Sequence, residues 1–237
     1  MLTHYTKRID GVANILSHGF AWVANRRNVA EFLIPHHDYS NREPQQFGMI
    51  SFTDMGPEEA RLHSGAFGRY GIVVSDEWAK RQNAQRVIYV DSEGPVTEAL
   101  RAIFETGYRD CEARIRFPED AGWTMAFENK AVAHAVVGSP LWANLLQLYE
   151  YMESSQFSRE REWRIAHPDP YYSLAGRRTE QVISDVSPPQ RWAKFLNVVR
   201  VTPADIAAFI CPSKECHALQ RVLPAGYANV PVTCTEG

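Results

Sequence analysis

Cysteine is scarce in this chain: four in 237 residues, Cys111, Cys211, Cys216 and Cys234, at irregular spacing. A disulfide framework needs a denser and more regular pattern, so free thiols in a reducing compartment are the expectation. No apolar run approaches the roughly 20 residues of a membrane-spanning helix. Met1-Leu2-Thr3-His4 carries neither the basic nor the apolar region of a signal peptide. These absences lead us to expect a cytoplasmic chain with no membrane partner. An excess of one charge sign is missing too, since 25 basic against 28 acidic residues leave a net charge of −3. That balance argues against a broad nucleic-acid-binding surface, although a local basic groove stays open. There is no Walker loop and no Gly-x-Gly-x-x-Gly fingerprint, so neither nucleotide fold is supported.

What is present is a hydrophobic fraction of 45% and an aromatic fraction of 11%, enough to build a real core. Short runs of apolar and β-forming residues predict strands over 2–6, 20–23, 47–53, 70–74, 86–90, 195–201, 208–211 and 230–233. Helices are expected over 11–18, with Asp10 as cap and Gly19 as terminator, and over 57–63, 76–82, 96–108, 140–152 and 215–223. Further helix is expected within 123–137, and a short one around 28–33. Residues 24–46 read as a long polar loop, a kind that is usually functional or disordered. No repeat, low-complexity stretch or linker interrupts the pattern. Strands, then a helical insert at about 96–152, then strands again suggest one α+β domain over 1–237 with a mixed or split sheet.

The chain reads as organised around Ser158-Arg159-Glu160-Arg161-Glu162-Trp163-Arg164-Ile165. Read as a strand, it places Glu160, Glu162 and Arg164 on one face and Arg161, Trp163 and Ile165 on the other. A helical alternative rests on the Arg159–Glu162 pair at i,i+3. Two carboxylates on one strand face repel and raise the pKa of at least one of them, unless a cation compensates. Arg164 could be that cation, which makes the group a structural ion cluster. Alternatively, one carboxylate polarises a ribose hydroxyl and stabilises an oxocarbenium-like transition state.

Other candidates are weighed the same way. His4-Tyr5-Thr6 sits at a strand end before a helix, where a ligand can be met; a half-buried strand histidine is the bland alternative. Ser51 and Thr53 put two hydroxyls on one strand face, fit to brace a carboxylate or ribose, or simply to satisfy a sheet edge. His36, His37 and Asp38 could serve a phosphodiester-cleaving nuclease. Cys211, Cys216 and His217 offer metal donors, but Cys-x4-Cys-His lacks a second half-site, so no metal is expected.

Taken in order, these patches resemble the ADP-ribosyltransferase-like proteins, including the DarT-type enzymes that act on nucleic acid. The matching patches are His4-Tyr5-Thr6 with Ile15-Leu16-Ser17-His18-Gly19-Phe20, then Ser51-Phe52-Thr53 for a Ser-Thr-Ser strand, then Glu160-Arg161-Glu162 for a Glu-x-Glu element. Phe52 departs from the pattern, and no acceptor-recognition loop precedes Glu160. Over most of its length the chain is similar to the AbiGi family of abortive-phage-resistance proteins. That likeness is carried by His4-Tyr5-Thr6, Phe47 to Asp54, Tyr70 to Ser75 with Trp78-Ala79, and Glu160 to Arg164. The first resemblance implies an ADP-ribosyltransferase-like fold with NAD as substrate, bound by His4, Tyr5 and Thr6 and braced by Ser51 and Thr53. It further implies Glu162 as the catalytic carboxylate and Glu160 as the group that orients a nucleic-acid or protein acceptor. The second implies a toxin–antitoxin or abortive-infection setting with a cognate toxin or antitoxin. The leading expectation is therefore an NAD-dependent transferase in antiphage defence, and the alternative is a non-catalytic antitoxin that binds a partner.

Overall fold

Ile50 and Phe52 alternate with Ser51 and Thr53, and this period of two makes Phe47–Thr53 a strand with one apolar and one polar face. Around it a computed structural model describes residues 1–25, 30–33, 47–62, 67–114, 140–166 and 198–236, and all that follows concerns those residues. The strands are β1 (Leu2–Thr6), β2 (Val23–Asn25), β3 (Phe47–Thr53), β4 (Tyr70–Val74), β5 (Gln85–Arg86), β6 (Ile88–Val90), β7 (Met152–Ser154), β8 (Glu162–Ala166), β9 (Ile206–Pro212) and β10 (Val232–Thr235). The α-helices are α1 (Ile9–His18), α2 (Ala30–Leu33), α3 (Pro57–Arg61), α4 (Asp76–Arg81), α5 (Pro95–Arg114), α6 (Pro140–Glu150) and α7 (Cys216–Val222).

Eight strands form one sheet in the order β10-β9-β4-β1-β3-β8-β5, with β2 also paired to β3. Its neighbours are antiparallel except β9 and β10, so the sheet is mixed. A separate parallel pair joins β6 to β7. Mixed sheet and helices together agree with an α-and-β fold at that level of description. None of the helices is long and apolar enough to cross a membrane.

The register decides which side chains share a face. Thr3 opposes Thr53, which opposes Glu162, and Ser51 opposes Arg164. These residues line one face; Leu2, His4, Ile50, Phe52, Ile72, Trp163 and Ile165 line the other. The second face takes the apolar stripe of α1, formed by Val12, Ile15 and Leu16, together with Trp78 and Leu219. Phe20, Phe52 and Trp78 meet there with ring centroids 5.4 to 5.8 Å apart. Fully burying a phenylalanine ring contributes roughly 1.5–3 kcal/mol, so these rings dominate the local stability.

Several expectations are corrected. α1 starts at Ile9 with Arg8 as its cap residue, and Asp10 pairs with Arg8 at 2.7 Å instead of capping. Gly19 does end the helix at φ +100, where an added Cβ would lie 2.9 Å from the Val199 carbonyl. The strand expected at 20–23 lies at Val23–Asn25, because Phe20 is committed to an isolated bridge with Val199. The helix expected at 140–152 ends at Glu150, and Met152–Ser154 turns into β7 beside β6. The closing strand slides from 230–233 to Val232–Thr235. Cys216 and Cys234 form a disulfide, contrary to the expected free thiols, because the β9–β10 register sets Cys234 opposite Cys211, whose sulfur lies 2.9 Å from that of Cys216. Residues 34–46, with His36, His37 and Asp38, and the helix expected within 123–137 lie outside the described residues.

His4 belongs to the apolar face. Its ring lies 5.1 Å from Phe20 and 5.7 Å from Phe52, and its Nδ1–H donates to the Ser51 carbonyl at 2.8 Å. Burial lowers its pKa, although the Ser51 contact works the other way. In the unfolded chain a histidine takes up a proton near pH 6.5, while the ring packed among Phe20 and Phe52 resists it. The unfolded state then binds more protons, so stability is full above that pH and falls as pH drops below it, by up to about 1.4 kcal/mol per pH unit. His4→Gln keeps a donor and removes the titration. Urea midpoints between pH 7.5 and 5.5 should therefore fall less steeply in His4→Gln than in the wild type, and equal slopes would overturn the assignment.

Candidate functional site

The acidic stretch does not run as one strand. Residues Ser155–Glu160 form a 3-10 helix, Arg161 takes a left-handed conformation at φ +48, and β8 begins only at Glu162. Glu160 therefore leaves the strand face assigned to it from the sequence. A left-handed non-glycine residue costs roughly 1–2 kcal/mol. Arg161 offsets this with ion pairs to Asp54 at 2.6 Å and Glu59 at 2.8 Å, and with a bond to the Asp54 carbonyl at 3.1 Å. Trp163 Nε1 donates to the same Asp54 carboxylate at 3.2 Å, so Asp54 ties the bend to β8.

Glu162 and Arg164 then project from β8 onto the polar face, where both are buried. The guanidinium uses all five of its N–H groups. Nε and Nη2 donate to the two oxygens of Glu162 at 2.8 and 2.6 Å, and Nη2 also donates to Glu153 at 2.9 Å. Nη1 donates to the carbonyls of Glu150 and Met152 at 3.2 and 3.0 Å. Burial opposes the charge on Arg164, but Glu162 and Glu153 outweigh it and raise its pKa. Ser51 Oγ adds a third bond to Glu162, at 2.6 Å to Oε1. The backbone N–H of Glu162 donates to the Tyr89 hydroxyl at 2.8 Å.

Glu160 stands beside this network. Its carboxyl makes no hydrogen bond among the described residues, and its backbone carbonyl accepts from Thr53 Oγ1 at 2.8 Å. Burial first, then the negative charges of Glu162 and Glu153, push its pKa up. Thr53 also accepts from the Met55 N–H at 3.2 Å, so this hydroxyl shapes the chain at the end of β3.

The sequence candidates thus divide between two faces. Ser51, Thr53 and Glu162 share the polar face, and Glu160 adjoins it. Tyr5 lies on that face further along, packed against Gly71, with burial raising its phenol to about 12. The side chains of His4 and Thr6 lie on the helix-covered face, separated from Glu162 by the sheet itself. Thr6 Oγ1 bonds to the Arg8 backbone and shapes the entry to α1. Glu153, Glu150 and Tyr89 were missed from the sequence. The available signal was a pair of acids, Glu150 and Glu153, closing the apolar run 140–152.

A cavity of about 410 Å³ opens next to β7, bounded by Phe32, Asp91, Glu93, Ser154, Ser155 and Gln156. Ser154 follows Glu153 directly, so the cavity is a neighbour of the ion network. Glu160, Glu162, Ser51 and His4 do not line it. Among the described residues its charged lining side chains are Asp91 and Glu93, both acidic, which disfavours a phosphate-bearing ligand.

Two outcomes test this electrostatic account. Arg164→Met should destabilise the fold by about 3–5 kcal/mol in urea titration, because Glu162 and Glu153 lose their buried counter-charge. Adding Glu162→Leu and Glu153→Leu should recover most of that loss; a cost under about 1 kcal/mol for Arg164→Met would reduce the network to the worth of a surface pair. For Glu160 the sign is opposite to that of His4. Its raised folded pKa gives full stability below the unfolded carboxyl range and a loss as pH rises through the folded value. Glu160→Gln should therefore be the more stable protein at pH 7 and lose its advantage near pH 4, as read by thermal melting.

The geometry agrees in place with a comparison to known families. A family model described as "Putative abortive phage resistance protein AbiGi, antitoxin" matches residues 41–175, more than half of the chain. That span holds β3, β4 and β8, and with them Ser51, Glu153, Glu162 and Arg164. No curated protein and no solved structure matches the chain. On the extent of that match, the chain belongs to the AbiGi family.

Proposed function

We propose that the chain is the antitoxin or regulatory partner of an abortive-infection toxin–antitoxin pair, acting by binding its cognate toxin. One observation carries this reading beyond the family description: both oxygens of Glu162 are already held by Arg164 and Ser51. A catalytic anion has to face the charge that develops on its substrate. Here that charge is satisfied inside the protein by a buried cation, which suits a structural role. The acidic cavity supports the same reading, since the pyrophosphate of NAD is an anion and the described lining offers it no basic side chain.

A second reading, an NAD-dependent ADP-ribosyltransferase acting on a nucleic-acid or protein acceptor, is favoured by a different contact. Ser51 braces Glu162 at 2.6 Å, as a serine beside a catalytic carboxylate would. Glu160 lies close enough to feel the Glu162 charge, as an acceptor-orienting residue would. This reading also needs His4 and Thr6 at the NAD site, yet their side chains occupy the other face of the sheet.

The two readings separate cleanly in one set of experiments. The chain is co-expressed with candidate toxins drawn from its genomic neighbourhood, and growth, co-elution and NAD levels are followed. The antitoxin reading expects growth rescue and a stable complex, with Glu162→Gln retaining rescue wherever it remains folded and no NAD consumed by the purified chain. NAD turnover by the wild type that Glu162→Gln abolishes, at an unchanged melting temperature, would replace it with the transferase reading.

A further inference from the structure

The C-terminal part of the chain brings together three sulfurs that neither reading of the activity uses. Cys211 is the next-to-last residue of β9, Cys216 opens α7 after a short 3-10 turn, and Cys234 lies in β10 directly opposite Cys211. Their three Sγ atoms all lie within 4.8 Å of one another, and those of Cys211 and Cys216 are 2.9 Å apart. A disulfide accounts for two sulfurs, Cys216 and Cys234, and leaves the third pressed against the pair.

We propose that Cys211, Cys216 and Cys234, once reduced, form a three-thiolate site for a thiophilic divalent ion of the zinc type. Zinc holds thiolates at about 2.3 Å in a tetrahedron, which places neighbouring sulfurs about 3.8 Å apart. The three sulfurs already cluster on that scale. Thiolate-only donor sets select soft ions such as zinc over magnesium or calcium.

The scaffold around them is also held by contacts that do not involve the sulfurs. Ser213 Oγ donates to the Thr235 carbonyl at 2.7 Å, and Thr235 Oγ1 donates to the Cys211 carbonyl at 3.3 Å. Glu215, next to Cys216, is fixed by Arg69 at 3.0 Å and by the Tyr70 hydroxyl. These contacts tie the ends of β9 and β10 and the turn before α7 together independently of the Cys216–Cys234 bond. Such pre-positioning on strands lowers the cost of assembling a metal site. Cys211 and Cys216 are buried while Cys234 is exposed, so the fourth coordination position opens to solvent on the Cys234 side.

The chemistry balances as follows. Reduction of the Cys216–Cys234 bond consumes two electrons and two protons from a cellular dithiol, which leaves as its own disulfide. Binding of one Zn²⁺ then displaces the protons of the three thiols, and water completes the tetrahedron. The ion would bridge β9, α7 and β10 in the place of the disulfide.

The test uses the full-length chain, reduced with a phosphine and titrated anaerobically with Co²⁺ and then Zn²⁺. We expect one equivalent of Co²⁺ to give thiolate-to-cobalt charge-transfer absorption, and Zn²⁺ to abolish it by displacement. Cys234→Ser alters only the exposed ligand; it should weaken binding at least tenfold and strip most of the charge-transfer intensity. Cys111→Ser should titrate like the wild type. A reduced wild type without thiolate absorption, or a Cys234→Ser protein that titrates identically, would overturn the site. Neither result depends on whether the chain is an antitoxin or a transferase.

Discussion

Arg164 reaches from the middle of β8 into a space closed by three segments: β8 itself, the end of α6 and β7. Its five donors find Glu162, Glu153 and the carbonyls of Glu150 and Met152, so one side chain staples all three. A buried guanidinium is costly unless every donor is met, and here every donor is met. The polar face of the sheet depends on this. Ser51 and Glu162 hold their places because Arg164 fixes Glu162, and the chain leaves α6 into β7 where the Glu150 and Met152 carbonyls point at the cation. Lysine could not substitute, since an ammonium offers three donors and no planar fork to match a carboxylate.

The two faces of the sheet follow different physics. The helix-covered face is held by apolar area and ring contacts, and even its histidine is kept neutral by burial. The other face is held by charges whose partners are specified atom by atom. An apolar core tolerates single substitutions by residues of similar volume, whereas a buried ion network is badly disturbed when one partner alone is removed. The family match covers β3 and β8, the strands that carry both kinds of face, and ends at residue 175 before β9 and β10.

Much of the fold was legible because short runs of apolar and β-forming residues stand out at 2–6, 47–53 and 70–74, and all three form strands at those bounds. The juxtaposition of Ser51 with Glu162 was approachable from hydroxyls and carboxylates of matching alternation. The bend at Arg161 was not. Alternation alone cannot register that Asp54 and Glu59, more than a hundred residues away, pull one arginine into the left-handed region. The side of the sheet on which His4 lies was equally hidden, because a single strand does not reveal which face meets α1. Cys234 escaped for the same reason: its neighbours in space come from a strand register and not from spacing along the chain.

Among the described residues the sheet ends at β5, a strand of two residues, Gln85 and Arg86, both exposed and paired to Arg164 and Trp163 of β8. Asn83 precedes it in a left-handed turn at φ +56, so the chain enters the edge already twisting away. An incoming strand needs a long, flat, apolar border to dock on, and this border is short, polar and curved. The end of the sheet nearest the ion network therefore resists templating a second chain. A protein with so many committed charges just inside its rim keeps that rim closed to strand addition, and with it to the sheet-to-sheet growth that precedes aggregation.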